Sequence, residues 1–222
     1  MMELSTAIRT TGSVRSFTAE PVDDATLYAL LDDARFAPSG GNRQGWRIAV
    51  IKDTATREAL ADLMRPVWDD YIAMASTGTT PFTVVDAGSY QPTVRPAGHS
   101  PNDLLDNIAA VPVVLVVAAD LSQVAMMDKD LERKAITGGG SIYPFCWNLL
   151  LAARSRGLGG VMTTFLARAE PAAAPLLALP ANYAIASMIF IGHPVHQPTK
   201  LKRAPVEDFT TVDSFDGTTF AG

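Results

Sequence analysis

Residues 141–165 read SIYPFCWNLLLAARSRGLGGVMTTF. Ile142, Phe145, Cys146, Leu149, Leu150 and Ala153 recur at helical spacing, so the stretch predicts a helix over 141–156, with Ser141 as its N-cap and Gly157 as its stop. Phe145, Trp147 and Leu151 widen the apolar surface to a second side. Such a helix belongs at the centre, against its own sheet and against a partner subunit. Val161 to Phe165 then predicts a strand.

Working outward, Ala110 to Ala118 is almost continuously apolar and β-branched, which suits a central strand covered on both faces with Pro112 at its entrance. Trp46 to Ile51 and Ile185 to Gly192 are further strands. Asp23 caps a helix that carries Leu27, Leu30, Leu31 and Ala34 and stops near Pro38. Thr56 to Met74 reads as another helix, bent or split by Pro66, and Pro171 opens a short one through about Leu179. The order does not alternate as a doubly wound or barrel fold requires. The expected architecture is an α+β sandwich, a mixed central sheet wrapped by helices, formed by one domain over 1–222.

Two stretches stand apart. Residues 77–101, rich in Gly, Pro, Ser and Thr, read as either an active-site cover with Phe82, Tyr90 or His99 as walls, or a solvent-facing insertion. Residues 210–222 read as a C-terminal arm. With 18 basic and 23 acidic residues, a net charge of −5, the chain has no global attraction to nucleic acid or anionic membranes. The apolar run 108–119 is too short to span a bilayer, and the amino terminus lacks the features of a secretory leader, so a cytoplasmic protein is expected.

Several chemistries find no support. The single Cys146 excludes an intrachain disulfide or a cysteine-pair redox centre, and its place on the apolar stripe makes it a small core residue. His99 is isolated, and His193 and His196 flank Pro194, so no metal site is expected. No nucleophile elbow, dinucleotide fingerprint or phosphate-loop motif occurs. Gly157-Leu158-Gly159-Gly160 reads as a helix stop with a tight turn, or as bare backbone against which a flat ligand lies. Arg15, Arg43 and the run Lys200 to Arg203 are scattered cations, each suited to a phosphate if brought together with other donors.

Four segments together resemble the nitroreductase family of flavin mononucleotide (FMN) dependent oxidoreductases. They are Thr10 to Phe17, Ala34 to Trp46 with its Pro38-Ser39-Gly40-Gly41-Asn42-Arg43-Gln44-Gly45 loop, Asn148 to Gly159, and Ile191 to Pro194 followed by Arg203 to Glu207. The resemblance runs in the family's order over nearly the whole chain. It departs at Thr11, where the family has an arginine, at Gly45, where it has a proline, and at Trp147, where a glutamine is common.

The resemblance implies a homodimer with two FMN sites at the subunit interface, each held by residues of both chains. Carried over by position, Ser13 and Arg15 hold the ribityl-phosphate or ring edge, and Arg203 with Lys202 holds the phosphate. Ser39, Asn42 and Gln44 fall in the loop beside the ring, and Gly159 and Gly160 bring main-chain donors near its reactive edge, with no side chain acting as catalytic acid or base. The implied activity is ping-pong hydride transfer through flavin N5 from NADPH or NADH to a flat acceptor such as a nitroaromatic or quinone. Reductive dehalogenation, unsaturated-bond reduction and a non-catalytic flavin-binding module are the alternatives.

Overall fold

The computed structural model describes residues 2–76 and 98–222. The expected cover over 77–101 therefore lies, except for its last four residues, outside the described residues, as do Phe82 and Tyr90. Helices α1 (Leu4–Thr10) and α2 (Asp24–Ala34) precede strand β1 (Trp46–Val50), and α3 (Thr54–Ser76) follows it. Then come α4 (Asp103–Asp106), β2 (Val113–Asp120), α5 (Tyr143–Ser155), β3 (Gly159–Thr163), α6 (Phe165–Arg168), α7 (Glu170–Leu176) and β4 (Tyr183–Gly192).

The strands form one sheet in the order β1-β2-β4-β3. Strand β2 is buried at every position because helices cover both faces. Its alternate residues Val113, Leu115, Val117 and Ala119 join a core with α2 and α5, while Val114 and Val116 join a second core with α3 and α6. This is the expected α+β sandwich. The sheet itself is a correction: all three ladders are antiparallel rather than mixed, and the parallel pairing among the described residues is a single bridge, Ser13 to Gly160.

Several boundaries shift for physical reasons. Asp23 caps α2 as expected, its carboxylate accepting from Thr26 N–H at 2.6 Å. Helix α3 starts earlier than predicted because Asp53 accepts from both the N–H and the hydroxyl of Thr56. Pro66 does not split it. Pro66 is exposed, as is Asp62, whose carbonyl loses its helical partner, so water satisfies that group at little expense. Ser141 is not the N-cap of α5: it ends a 3-10 turn over Thr137–Ser141, and the helix begins at Tyr143 with Pro144 in its first turn. Gly157, at φ +80°, stops α5 as expected.

Gly159 and Gly160 belong to a strand and not to the turn that was expected. A Cβ on Gly160 would sit 2.8 Å from the Phe190 carbonyl oxygen and from Leu150 Cδ2, and one on Gly159 would sit 2.7 Å from Val14 Cγ2. Their bareness lets the chain at residues 13–14 lie directly on β3. Phe165, predicted in that strand, instead opens α6. Cys146 is fully buried, with Sγ 3.6 Å from the Ser187 hydroxyl, and burial pushes its thiol pKa up, as suits an inert core residue. Residues 210–222 make one isolated bridge, Thr211 to Thr219, and leave Phe215 in solvent.

Candidate functional site

Three remote segments meet at the β3 edge of the sheet. Val14 N–H donates to the Gly160 carbonyl at 3.0 Å, Thr18 N–H to His193 and Val195 N–H to Ser16, so residues 13–18 are stitched to both β3 and the chain after β4. Gln197 Nε2 donates to the Thr10 carbonyl at 3.0 Å, and a Cβ on Gly12 would sit 2.9 Å from both Leu201 and Pro198. That contact brings Leu201, the residue before Lys202 and Arg203, to within one residue of Ser13. Thus Ser13 meets Gly159 and Gly160 at one corner, the glycines buried, and the chain leading to the exposed Lys202 and Arg203 passes beside it at Gly12. Thr11 faces away: it is buried and its hydroxyl donates to Ala7 O.

Beside this corner opens a cavity of about 990 Å³. Arg15 lines it together with Val161 to Phe165 at the end of β3, Trp68 and Tyr71 of α3, Arg168 of α6, and Asn102 to Leu105. Arg15 makes no ion pair among the described residues, whereas Arg168 pairs with the buried Asp70 at 3.2 Å. The glycines lie one step behind the lining, which begins at Val161. Sequence reasoning missed Thr163, Thr164, Trp68 and Tyr71. The signal for the last two was present, since the α3 stripe Leu60, Met64, Val67 continues at helical spacing to Trp68 and Tyr71.

Ser39, Asn42 and Gln44 lie elsewhere. Trp46, at the end of their loop, pairs with Ala119, which pairs with Ala184, whereas Gly159 pairs with Gly192. Eight residues along β4, about 26 Å of strand, separate those levels, and the loop adjoins the opposite edge strand. Within one chain the two clusters occupy diagonal corners.

The loop is stiff although its side chains reach solvent. Gly41, Asn42 and Gln44 all have φ between +51° and +58°, a conformation that costs energy for non-glycine residues. Ser39 Oγ accepts from Gln44 N–H at 2.9 Å, Gln44 Nε2 donates to Asn42 Oδ1 at 3.3 Å, and Ser141 Oγ accepts from Gly40 N–H at 3.0 Å. Gly45 stands where a Cβ would press to 3.2 Å from Gln123 and Val124. The turn bearing Ser141 is anchored in its own right by Asp128. The Thr137 hydroxyl, the Ile136 N–H and Arg133 hold that carboxyl far below the usual carboxylate range.

Because the folded value is depressed, this anchoring is complete well above the unfolded value of about 3.9 and fades as pH falls below it. Hydrogen exchange is therefore expected to show the Ile136 and Thr137 amides protected at pH 6 and losing protection progressively as pH is taken from about 4 to below 3, before the β2 amides. Loss in step with β2 counts against a local anchor.

A family model described as the nitroreductase family matches residues 8–193. The chain belongs to the nitroreductase family. This nitroreductase-family chain is 27% identical over 207 residues to an NADH dehydrogenase of Thermus thermophilus, covering 93% of this chain and 94% of that protein. It is 29% identical over 181 residues to a 5,6-dimethylbenzimidazole synthase of Rhodospirillum rubrum, covering 82% and 77%. Among solved structures it shares the fold of the NADPH:FMN oxidoreductase from Vibrio harveyi complexed with NAD+, at a TM-score of 0.69 and 21% identity, covering 97% of this chain and 79% of that one. Among the described residues, no helix is long and apolar enough to cross a membrane.

Proposed function

We propose that this oxidoreductase of the nitroreductase family holds FMN and uses NADH or NADPH to reduce a flat acceptor such as a quinone or nitroaromatic. The observation that carries the reading is Arg15 in the lining of one large, mostly apolar cavity, with its neighbour Ser13 bridged to Gly160 and Leu201, the residue before Lys202 and Arg203, packed at Gly12. A cavity of about 990 Å³ is at the upper end for small-molecule sites, with apolar floor residues Val161, Met162, Leu104 and Leu105 for a planar ring and exposed cations for a phosphate. This donor set fits FMN. When bound, the flavin supplies the hydride-accepting ring.

In this reading Arg203 and Lys202 bind the phosphate, Arg15 and Ser13 the ribityl chain or ring edge, and Thr163 and Thr164 offer hydroxyls where β3 ends in the cavity. Ser39, Asn42 and Gln44 reach the seat from a second copy of the chain, because their own corner is distant. The protein is then a homodimer with each seat shared, and the names of the Thermus and Vibrio relatives support nicotinamide and flavin use. The Rhodospirillum relative favours a second reading, in which bound flavin serves another reaction of the family.

Arg203→Ala is expected to weaken FMN binding about tenfold to a hundredfold while leaving the melting temperature nearly unchanged, since an exposed charge-assisted donor is lost and no core volume. FMN titration and thermal melts check it, and unchanged affinity removes Arg203 from the seat. Bleaching of the flavin band by NADH or NADPH and its recovery with a quinone test the activity; flavin that neither reductant bleaches overturns it.

A further inference from the structure

We propose that Ser141 is a positioning residue for the cofactor seat, its hydroxyl holding loop 39–44 in the shape that enters the seat of a second copy. The proposal deepens the reading above and rests on it for what the loop meets there. Asn42 and Gln44 stand at φ +53° and +51°, a conformation that persists only where the surroundings impose it. At the far end of the loop the sheet imposes it: Arg47 donates to the Gln44 carbonyl at 3.0 Å, and Asp120 N–H donates to the Gly45 carbonyl at 2.8 Å. At the near end the tie is Ser141, whose Oγ accepts from the Gly40 N–H at 3.0 Å although the two residues are 101 positions apart in the chain.

Ser141 suits that task because its own place is fixed on both sides. It is buried, and it ends the 3-10 turn Thr137–Ser141, which Asp128 grips through the Ile136 N–H and the Thr137 hydroxyl. The next residue, Ile142, lies in the core with Phe145, and Phe145 stacks on Trp46 at 5.0 Å and 21°, so the same stretch also holds the residue that follows the loop. The bonds inside the loop leave the Gly40 N–H out. They run from Asn42 N–H to the Ser39 carbonyl, from Arg43 N–H to the Gly40 carbonyl and from Gln44 N–H to Ser39 Oγ. Without the Ser141 hydroxyl, an unpaired donor stands at the entrance of a strained turn, and a ligand must order the loop as it binds.

Ser141→Ala removes one oxygen and little volume, so FMN affinity is expected to fall about three- to tenfold, with the melting temperature within about 4 °C of the unaltered protein. By hydrogen exchange, the Gly40 amide should lose protection while the β1 amides keep theirs. Mixing chains separates positioning of the loop from a general structural role. In doubly tagged dimers with Arg203→Ala chains, Ser141→Ala chains should leave one seat in two at the original affinity, because the intact corner of one chain meets the intact loop of the other. With Asn42→Ala chains they should leave none. Unchanged FMN affinity in Ser141→Ala, or an unchanged Gly40 amide, overturns the role. No recovery with Arg203→Ala chains, where Asn42→Ala chains do recover with them, overturns it equally. If Arg203→Ala and Asn42→Ala chains fail to recover one another, or the unaltered protein takes up no FMN, the shared flavin seat falls instead, and the Gly40 amide still decides whether Ser141 holds the loop.

Discussion

Mixing chains that carry Arg203→Ala with chains that carry Asn42→Ala is expected to restore, in a share of the seats, the full FMN affinity that each variant alone has lost. Ser13 is bridged to Gly160 of β3 next to the Gly192 level, with Leu201 packed one residue away at Gly12, while Asn42 adjoins β1 at the Ala184 level, on the far diagonal of the sheet. No flavin can touch both corners of one chain across roughly 26 Å of strand plus the width of the sheet. If a two-fold dimer brings one corner of each chain together, a mixed dimer has one seat with both alterations and one with neither. Random assortment at equal amounts makes half the dimers mixed, so about a quarter of all seats should regain FMN at the original affinity. Co-expression with two affinity tags and flavin absorbance of the doubly tagged species would measure this. No recovery in that species would mean that each seat is built within a single chain, and full flavin retention by Asn42→Ala alone would remove the loop from the seat.

What the sequence disclosed and what it concealed divide along the range of the interactions involved. Local signals were readable. The Asp23 cap, the Gly157 stop and the alternation of β2 between two cores all follow from neighbouring residues. The glycine pair after α5 misled because its cause is remote: Val14, Leu150 and Phe190 crowd those positions, and none of them is near in sequence to both glycines. Strand direction was equally hidden, since nothing in a run of Val, Ile and Ala says which neighbour it will pair with. Arg15 and Arg203 could be joined only by resemblance to a family. The structure brings their neighbourhoods together, with Leu201 and Pro198 seated on the bare Gly12. Trp68 and Tyr71 continued a stripe that looked complete at Val67, and only the break of β3 into α6 after Thr163 turns that end of the stripe into a cavity wall.

The largest loss of stability is expected from Arg57→Leu. Arg57 is a buried residue of α3 whose guanidinium donates to three main-chain carbonyls: Ile51 at 2.8 Å, Val111 at 2.7 Å and Ala109 at 3.1 Å. Those carbonyls belong to the exit of β1 and the entrance of β2, where Pro112 interrupts the regular ladder. One side chain thus ties α3 to two adjacent strands. Burial pulls its pKa below the ordinary arginine value, which measures the desolvation the carbonyl bonds must offset. Leucine keeps apolar bulk but leaves at least two buried acceptors without this donor, a loss of about 3 kcal/mol. For a chain of this length that is a fall in melting temperature of roughly 6 to 12 °C. Arg57→Lys should recover only part of it, because an ammonium lacks the planar fork that reaches several carbonyls at once. A melting temperature within about 2 °C of the unaltered protein would show that water replaces the guanidinium at these carbonyls, and that the clip between α3 and the sheet lies elsewhere.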